Sequence, residues 1–438
     1  MFLGSWFLIL VSCLLILGSW FLSLASHFSS ATADKSSHVS NLTSNKMNNR
    51  QLFLSHLAQT TDFPLMIEIE RAEGIYMYGP DGKEYMDLIS GIGVSNVGHR
   101  HPKVIEAIQQ QLDKYLHLMV YGEYVQSPQT LLSKALCGTL PPNLDNVYLV
   151  NSGSEAVEGA LKLAKRYTNR REIISCVDAY HGSSHGSLSV GGNEIFKRAF
   201  RPLLPGIKNV VYGSFNQLEE ITENTAAFII ETIQGEAGIK VACSQYFQAL
   251  RKKCDETGTL LILDEIQAGF GRTGKFWAFE HFDIVPDILV CAKGMGGGMP
   301  IGAFIANKDI MGAFKNNPLL GHITTFGGHP VSAAASLATI KVIQEESLLV
   351  KVEGKANLFK KLLVHPKIKS IRNKGLMMAI EFESFEVLKP IIDKAILKGV
   401  ITDWFLFCDD AMRIAPPLII TEEEIQKASE VILEAVEG

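Results

Sequence analysis

Residues 259–294 read TLLILDEIQAGFGRTGKFWAFEHFDIVPDILVCAKG. Two short apolar runs, Thr259–Leu263 and Asp287–Cys291, each lead into a charged side chain, Asp264 after the first and Lys293 shortly after the second. Runs of four or five apolar residues without alternation are the pattern of strands buried on both faces, as in parallel sheets covered by helices. A carboxylate directly after Leu260-Leu261-Ile262-Leu263 is costly to place unless something pairs with it. Lys293 follows Leu289-Val290-Cys291-Ala292 and so starts from the buried sheet rather than from a solvated face. The glycines after it, Gly294 and Gly296–Gly298, remove side-chain bulk and are expected to expose its amine. Between the two runs, Gly269 to Lys275 matches G-x-x-x-x-G-K, but Phe276 stands where a P-loop needs Ser or Thr for magnesium, so no P-loop is expected.

Working outward, further apolar runs occupy Asn146–Val150, Glu172–Cys176, Asn209–Tyr212, Ala226–Ile230 and Ile301–Ala306, several of them separated by helical patterns. Val157, Ala160, Leu161 and Ala164 form one helical face, and Val104, Ile105, Ile108 and Leu112 another. This predicts an α/β domain with a mostly parallel sheet flanked by helices. After Gly328 an Ala-rich helix (His329 to about Glu346) leads into a helix, strand, helix, strand, helix series ending at Val436, read as a smaller α+β domain. A hairpin, Ile75–Tyr78 and Glu84–Leu88 around the turn Gly79-Pro80-Asp81-Gly82, is assigned to that same domain. The expected division is a leader and linker at 1–46, the N-terminal part of the small domain at 47–95, the large domain at 96–328 and the C-terminal small domain at 329–438.

Composition narrows the class. The 438 residues carry 41 basic and 46 acidic side chains, a net charge of −5, which argues against a nucleic-acid binder living on phosphate contacts. Seven scattered cysteines with no C-x-x-C pair exclude a disulfide framework and a cysteine zinc site, and they fit a reducing, cytoplasmic compartment. His181 and His185 have i, i+4 spacing but lack the glutamate of H-E-x-x-H, so no metal is expected.

Ligands in α/β sheets gather at the carboxyl ends of strands. Asn151-Ser152-Gly153-Ser154-Glu155 opens a helix whose free N–H groups suit a phosphate, and Ser152-x-x-Glu155 is also a capping-box pattern. Tyr180 offers a flat face after the strand at 172–176, while Asp264 offers a carboxylate and Lys293 an amine. Phosphate site, stacking face, partner for a ring nitrogen and amine for an aldehyde together match pyridoxal 5′-phosphate. The ordered motifs Gly98-His-x-His-Pro102, Ser152-Gly-Ser-Glu-Ala156, Tyr180-His-Gly182, Glu231-x-Ile-Gln-Gly-Glu-x-Gly238, Asp264-Glu-Ile-Gln267, Gly271-Arg-Thr-Gly274, Ala292-Lys-Gly294, Thr324-Thr-Phe-Gly-Gly328 and Arg413-x-Ala-Pro-Pro417 cover about residues 65–436. They resemble the class III pyridoxal-phosphate aminotransferases of fold type I.

The resemblance implies ping-pong transfer of an amino group from an ω-amino compound or amino acid to a 2-oxo acid such as 2-oxoglutarate. Lys293 would bond the cofactor aldehyde and then shuttle a proton. Asp264 would keep the ring nitrogen protonated, Tyr180 would stack on the ring, Gln267 would sit near its hydroxyl, and Gly153 and Ser154 would hold the phosphate. Thr325 would complete that phosphate site from the partner of a homodimer. Arg413 would grip a substrate carboxylate, with Glu236 neutralising it when an ω-amine is bound. An aminomutase, racemase or decarboxylase is the alternative within the fold, and the Arg413–Glu236 pair favours transamination because two alternating substrates need a switchable charge. Ser183 departs from the acetylornithine, ornithine and 4-aminobutyrate members, which usually carry arginine there, because a serine cannot supply a bidentate charged grip. Broad ω-amine transaminases of the class carry a small polar residue at that place, while the sequence as a whole is nearer the acetylornithine/ornithine side, so both donor readings stand.

The first 28 residues contain no charge after Met1. Residues 2–28 are long enough to span a bilayer, with Lys35, Lys46 and Arg50 following, which would keep the body in the cytoplasm. Ala31-Thr32-Ala33 resembles a signal-peptide cleavage site, but no basic n-region precedes it. A start at Met47, after a Ser-, Asn- and Thr-rich linker, is the third reading.

Overall fold

The computed structural model describes residues 47–120 and 122–438. The expectations for residues 2–28 and for the linker up to residue 46 therefore lie outside the described residues. The chain divides at Glu68 and Ile69 into two units. In the first, a short helix, Asn49–His56, is closed by a reciprocal cap: Asn48 Oδ1 accepts from the Gln51 N–H and Gln51 Oε1 from the Asn48 N–H, both at 2.9 Å.

The second unit, Ile69–Gly438, holds three sheets. The first begins with β1 (Arg71–Glu73), β2 (Tyr76–Tyr78) and β3 (Glu84–Asp87), an antiparallel meander. The β2–β3 turn closes where Gly82, at φ +79°, donates its N–H to the Gly79 carbonyl at 3.0 Å. The central sheet contains β4 (Asn146–Val150), β5 (Glu172–Cys176), β6 (Ile207–Val210), β7 (Thr225–Glu231), β8 (Leu260–Asp264), β9 (Ile288–Cys291) and β10 (Gly302–Ala306), in the order β4-β10-β9-β8-β7-β5-β6. Neighbours from β9 through β6 pair in parallel, while β10 is antiparallel to both β9 and β4. The reversal follows from the connection: only ten residues, 292–301, join β9 to β10, too few for the helical crossover that a parallel return requires.

Every residue of β7, β8, β9 and β10 is buried, which accounts for their unbroken apolar sequences. Alternate residues serve the two faces. Ile229, Ile262 and Val290 pack with Val157, Ala160, Leu161 and Ala164 of the helix Gly153–Thr168. Phe228, Ile230, Leu261 and Leu263 pack on the other face with Tyr246, Phe247 and Leu250 of the helix Ser244–Thr257.

Several local expectations shift. The run at 209–212 forms a strand two residues earlier, because Gly206, at φ +78°, ends the preceding loop and sets Ile207 opposite Ile173. In the helix Pro102–Leu112 the stripe is rotated at its end, with Gln111 buried and Leu112 exposed, and the buried Gln111 amide donates forward to the Tyr115 carbonyl at 3.0 Å. The C-terminal region has five strands where two were expected: β11 (Ser370–Lys374), β12 (Met377–Glu381), β13 (Val400–Ile401), β14 (Asp403–Phe405) and β15 (Cys408–Ile414). Strands β11-β12-β15-β14 form the third sheet, and β13 adds in parallel to β3. β11 escaped notice because SIRNK is polar and only half-buried. Among the described residues no helix is long and apolar enough to cross a membrane.

Gly159 is the contact point between the helix Gly153–Thr168 and the sheet: a Cβ there would lie 2.2 Å from the Phe304 ring. Alanine would improve helix propensity by about 1 kcal/mol, but overpacking costs about 1–3 kcal/mol and a ring inside a buried strand has little room to give. Gly159→Ala is therefore expected to lower the denaturant midpoint, and an unchanged or raised midpoint would refute the close-approach argument.

Candidate active site

The carboxyl ends of β4, β5, β7, β8 and β9 converge on one cavity of about 390 Å³. Its walls include Gly153, Ser154, Tyr180, Glu236, Asp264, Gln267 and Lys293, so seven of the ten residues singled out from sequence meet there. The other three do not line it. Arg413 stands behind Glu236, Ser183 is exposed beside Tyr180, and Thr325 is exposed on the loop before the helix Pro330–Glu345, where its carbonyl lies 2.9 Å from His117 Nε2.

Asp264 ends β8 and is only 5% exposed. Its Oδ1 accepts the Ile266 N–H at 2.9 Å, and its Oδ2 lies 2.7 Å from His181 Nδ1. His181, itself buried, has Nε2 3.3 Å from Ser175 Oγ. The histidine that sequence considered only as a metal ligand is thus the partner the costly carboxylate needed.

Glu231, at the end of β7, accepts from the Tyr180 N–H at 3.2 Å and the Gly235 N–H at 3.1 Å. Burial, aided by the Asp264 charge, pushes its carboxyl well above the ordinary range. Glu265 is also buried and accepts from the Thr232 hydroxyl and the Ala278 and Phe279 N–H groups; burial pushes it up to about 7. Neither was singled out from sequence, although Glu231 closes an apolar run much as Asp264 does.

Lys293 follows β9 at φ +48°. Burial lowers its pKa, with Glu236 opposing, which favours the neutral amine. Of the glycines behind it, Gly298 lines the cavity with open space where a Cβ would stand, while Gly294 and Gly297 serve packing. A Cβ on Gly294 would sit 2.5 Å from Asn96 Nδ2, and one on Gly297 would sit 2.2 Å from Thr339 Oγ1.

Glu236 and Arg413 form a bidentate pair at 2.8 and 2.9 Å. Glu236 also accepts from Gln267 Nε2 at 3.1 Å and the Leu406 N–H at 3.2 Å. Burial would raise its pKa, but the Arg413 charge overrides this and holds it at about 2. Arg413 additionally donates from Nε to Asp403 Oδ1 at 2.9 Å and lies over the Phe405 ring. Burial pushes Asp403 up to about 6 against the pull of Arg413. Asp403 gave no sequence signal.

The helix start at Gly153 has half of the expected capping box. Ser152 Oγ accepts the Glu155 N–H at 3.2 Å, but the Glu155 carboxylate turns to the Asn151 N–H and side-chain amide, both at 2.8 Å. The N–H groups of Gly153 and Ser154 have no acceptor within the helix, and both residues line the cavity. A Cβ on Gly153 would lie 2.9 Å from Ile266, and one on Gly182, at φ +125°, would lie 2.2 Å from Ser154 Oγ. A cradle that admits no extra methyl, two unsatisfied N–H groups, a buried carboxylate and a buried amine fit pyridoxal phosphate. The loop Gly269–Lys275 is structural: its Arg272 is buried and donates to Asn96 Oδ1 at 2.6 Å and to the Leu376 and Pro416 carbonyls.

Comparison with known proteins agrees with this geometry. Residues 57–436 match the aminotransferase class-III family. The acetylornithine aminotransferase of Methanopyrus kandleri is 37% identical over 376 residues, 85% of this chain and 94% of that protein. That of Methanocaldococcus jannaschii is 39% identical over 375 residues, covering 82% and 91%. Among solved structures, the ornithine aminotransferase of Toxoplasma gondii superposes with a TM-score of 0.82 at 28% identity over 90% of this chain and 96% of that one. A transaminase from the marine bacterium Virgibacillus gives 0.82 at 28% over 89% and 98%.

Removing one partner of a buried pair leaves an uncompensated charge, whereas replacing both with apolar residues is often nearly neutral. Glu236→Ala is expected to destabilise by about 3–5 kcal/mol, and the double change Glu236→Met with Arg413→Met by clearly less. Denaturant unfolding of both variants checks this; a double variant as unstable as the single would mean that packing rather than charge governs the pair.

Proposed function

The chain belongs to the class-III aminotransferases, pyridoxal-phosphate-dependent transferases of fold type I that act between a small-molecule amino donor and a 2-oxo acid, and from that premise we propose its substrates and the part each residue plays. The donor is an ω-amino compound or amino acid of the acetylornithine/ornithine kind, and the acceptor is 2-oxoglutarate. The observation that carries this reading is the Arg413–Glu236 pair, whose carboxylate lines the same cavity as Lys293 and Asp264. A site serving one substrate has no use for an arginine that is neutralised at rest and can be released; a site alternating between an amine and a dicarboxylate does.

The bound cofactor supplies an aldehyde that takes up the amine and a ring that accepts electrons from the breaking C–H bond. Gly153 and Ser154 N–H groups bind its phosphate at the positive end of their helix. Tyr180 covers the ring face and Gln267 lies by its hydroxyl. Asp264, oriented by His181 and the Ile266 N–H, holds the proton on the ring nitrogen through a charge-assisted bond. Lys293 would anchor the aldehyde and, once released, would take the proton from the substrate carbon on Nζ and pass it to the cofactor carbon that had carried the aldehyde; lowering by burial keeps that amine competent as a base. Arg413 binds the acceptor's carboxylate when Glu236 yields it. In a homodimer the exposed Thr325 completes the partner's phosphate site. The six described cysteines are all free thiols, which supports a cytoplasmic catalytic body.

Ser183 favours a second donor reading, a broad ω-amine:pyruvate transaminase. Its hydroxyl lies 3.2 Å from the Tyr180 hydroxyl and supplies no charge. The test is the visible band of the bound cofactor in the protein 47–438, followed anaerobically in single turnover with N-acetylornithine. Bleaching to the amino form supports the first donor; a persistent band that bleaches with carboxylate-free ω-amines, and with N-acetylornithine only after Ser183→Arg, supports the second. Absence of any band with added cofactor, unchanged by Lys293→Ala, would overturn the enzymatic reading.

A pH dependence follows from Asp403. Below about pH 6 it is neutral and Arg413 has one anionic partner; above, it has two. The arginine therefore has more to gain from an incoming carboxylate at low pH. The dissociation constant for 2-oxoglutarate is expected to rise about 3- to 10-fold between pH 5 and 7, and Asp403→Asn to flatten that rise. A slope that survives Asp403→Asn would assign it to another group.

A further inference from the structure

Glu231 lies across the parallel register from Asp264, at the end of the neighbouring strand. It is 7% exposed and is among the residues that line the cavity. Its two oxygens are given to two different segments: Oε2 takes the Tyr180 N–H after β5, and Oε1 takes the Gly235 N–H in the turn after β7. Each segment carries a side chain the reaction uses, Tyr180 itself and Glu236, the residue after Gly235. The turn has no slack, because a Cβ on Gly235 would lie 2.3 Å from Gln267 Oε1, and the Gly235 carbonyl is already taken by the N–H groups of Gly238 and Ile239 at 3.1 and 3.3 Å.

We propose that Glu231 is a positioning residue for the reaction: its carboxyl ties the Tyr180 backbone and the Gly235 backbone just before Glu236 to the end of β7, beside Asp264, so that the ring-covering face and the Arg413–Glu236 switch are set by one clasp. The proposal rests on the roles given above to Tyr180 and Glu236. Glu265 is the internal contrast. It is equally buried and also fully bonded, but to Thr232, Ala278 and Phe279, none of which lines the cavity. A carboxyl can accept on both oxygens, whereas a glutamine presents one acceptor and one donor, so Glu231→Gln must set an N–H against an N–H at one of the two tethers.

The experiment uses the holoenzyme of the parent protein, Glu231→Ala, Glu231→Gln and Glu265→Gln. Two quantities are read besides turnover: the position of the cofactor's visible band, which reports the ring environment, and the dissociation constant of glutarate, an unreactive dicarboxylate, from the change it causes in that band. Glu231→Ala is expected to shift the band and weaken glutarate about tenfold, and Glu231→Gln to change at least one of the two by about threefold or a resolvable shift, since each lost tether costs on the order of 1 kcal/mol. Glu265→Gln is expected to lower the melting temperature and leave both readings within about twofold. The proposal is overturned if the Glu231 variants, folded and loaded with cofactor, keep both readings, or if Glu265→Gln moves them as far. If Glu231→Ala does not fold, Glu231→Gln decides. A parent enzyme that shows the cofactor band but ignores glutarate overturns the switch reading of Arg413 and Glu236, and the clasp falls with it.

Discussion

Asp264 closes a strand with no exposed residue, and a carboxylate in that position must be satisfied by its immediate surroundings. Three carboxyls crowd this point, Glu231 and Asp264 side by side across the register and Glu265 next in the chain. Burial pushes Glu231 and Glu265 upward, and the Asp264 charge pushes both in the same direction. Of the three, only Asp264 has a basic side chain against it, His181. The arrangement sorts the trio by partner. Glu265 is spent on the turn at Ala278 and Phe279, Glu231 on the two loops flanking the cavity, and Asp264 is left as the carboxylate addressed to the site. The same apolar run that builds β8 thus creates the electrostatic problem that the site exploits.

A second constraint joins distant parts of the chain. Arg413 belongs to β15 and Glu236 to the turn after β7, and both are about 5% exposed in side chain. Two desolvated charges tolerate such burial only with close geometry and further hydrogen bonds. Both conditions hold: the pair is bidentate, Asp403 and the Trp404 carbonyl take two further guanidinium donors, and Gln267 and the Leu406 N–H approach the carboxylate. A residue of the third sheet is thereby fixed to the turn that follows β7 of the central one. A pair with this much support has one well-defined closed geometry, which the proposed exchange between two substrates would have to open and restore.

The legibility of the molecule from sequence follows the same physics. The central strands were readable because burial on both faces leaves no alternation, and Asp264 and Lys293 were readable because charges next to such runs are expensive. β11 was not, because a half-buried edge strand tolerates a polar sequence such as Ser370–Lys374. His181 was invisible in its true role: nothing in a Tyr-His-Gly segment says that the imidazole turns 83 residues away in sequence to Asp264. Of the glycines after Lys293, Gly298 opens on the cavity as the sequence suggests, while Gly294 and Gly297 answer the close approach of Asn96 and Thr339, which only three-dimensional packing reveals. Glu231 carried the same strand-end signal as Asp264, and that signal identifies a buried carboxylate without saying whether it faces a ligand or the protein.

Ser183 sits where the proposed donor choice can vary without disturbing the supports of the site. It lies outside the cavity wall and touches the machinery through two contacts at its margin, the Tyr180 hydroxyl and Ser154 Oγ, which accepts its N–H at 3.3 Å. Exchanging a long cation for a hydroxyl there changes what charge the mouth presents. The Tyr180 backbone is held by Glu231, Asp264 by His181, and the helix start by Ser152, none of which depends on the side chain at 183. Those supports of the site therefore stand whichever side chain occupies position 183.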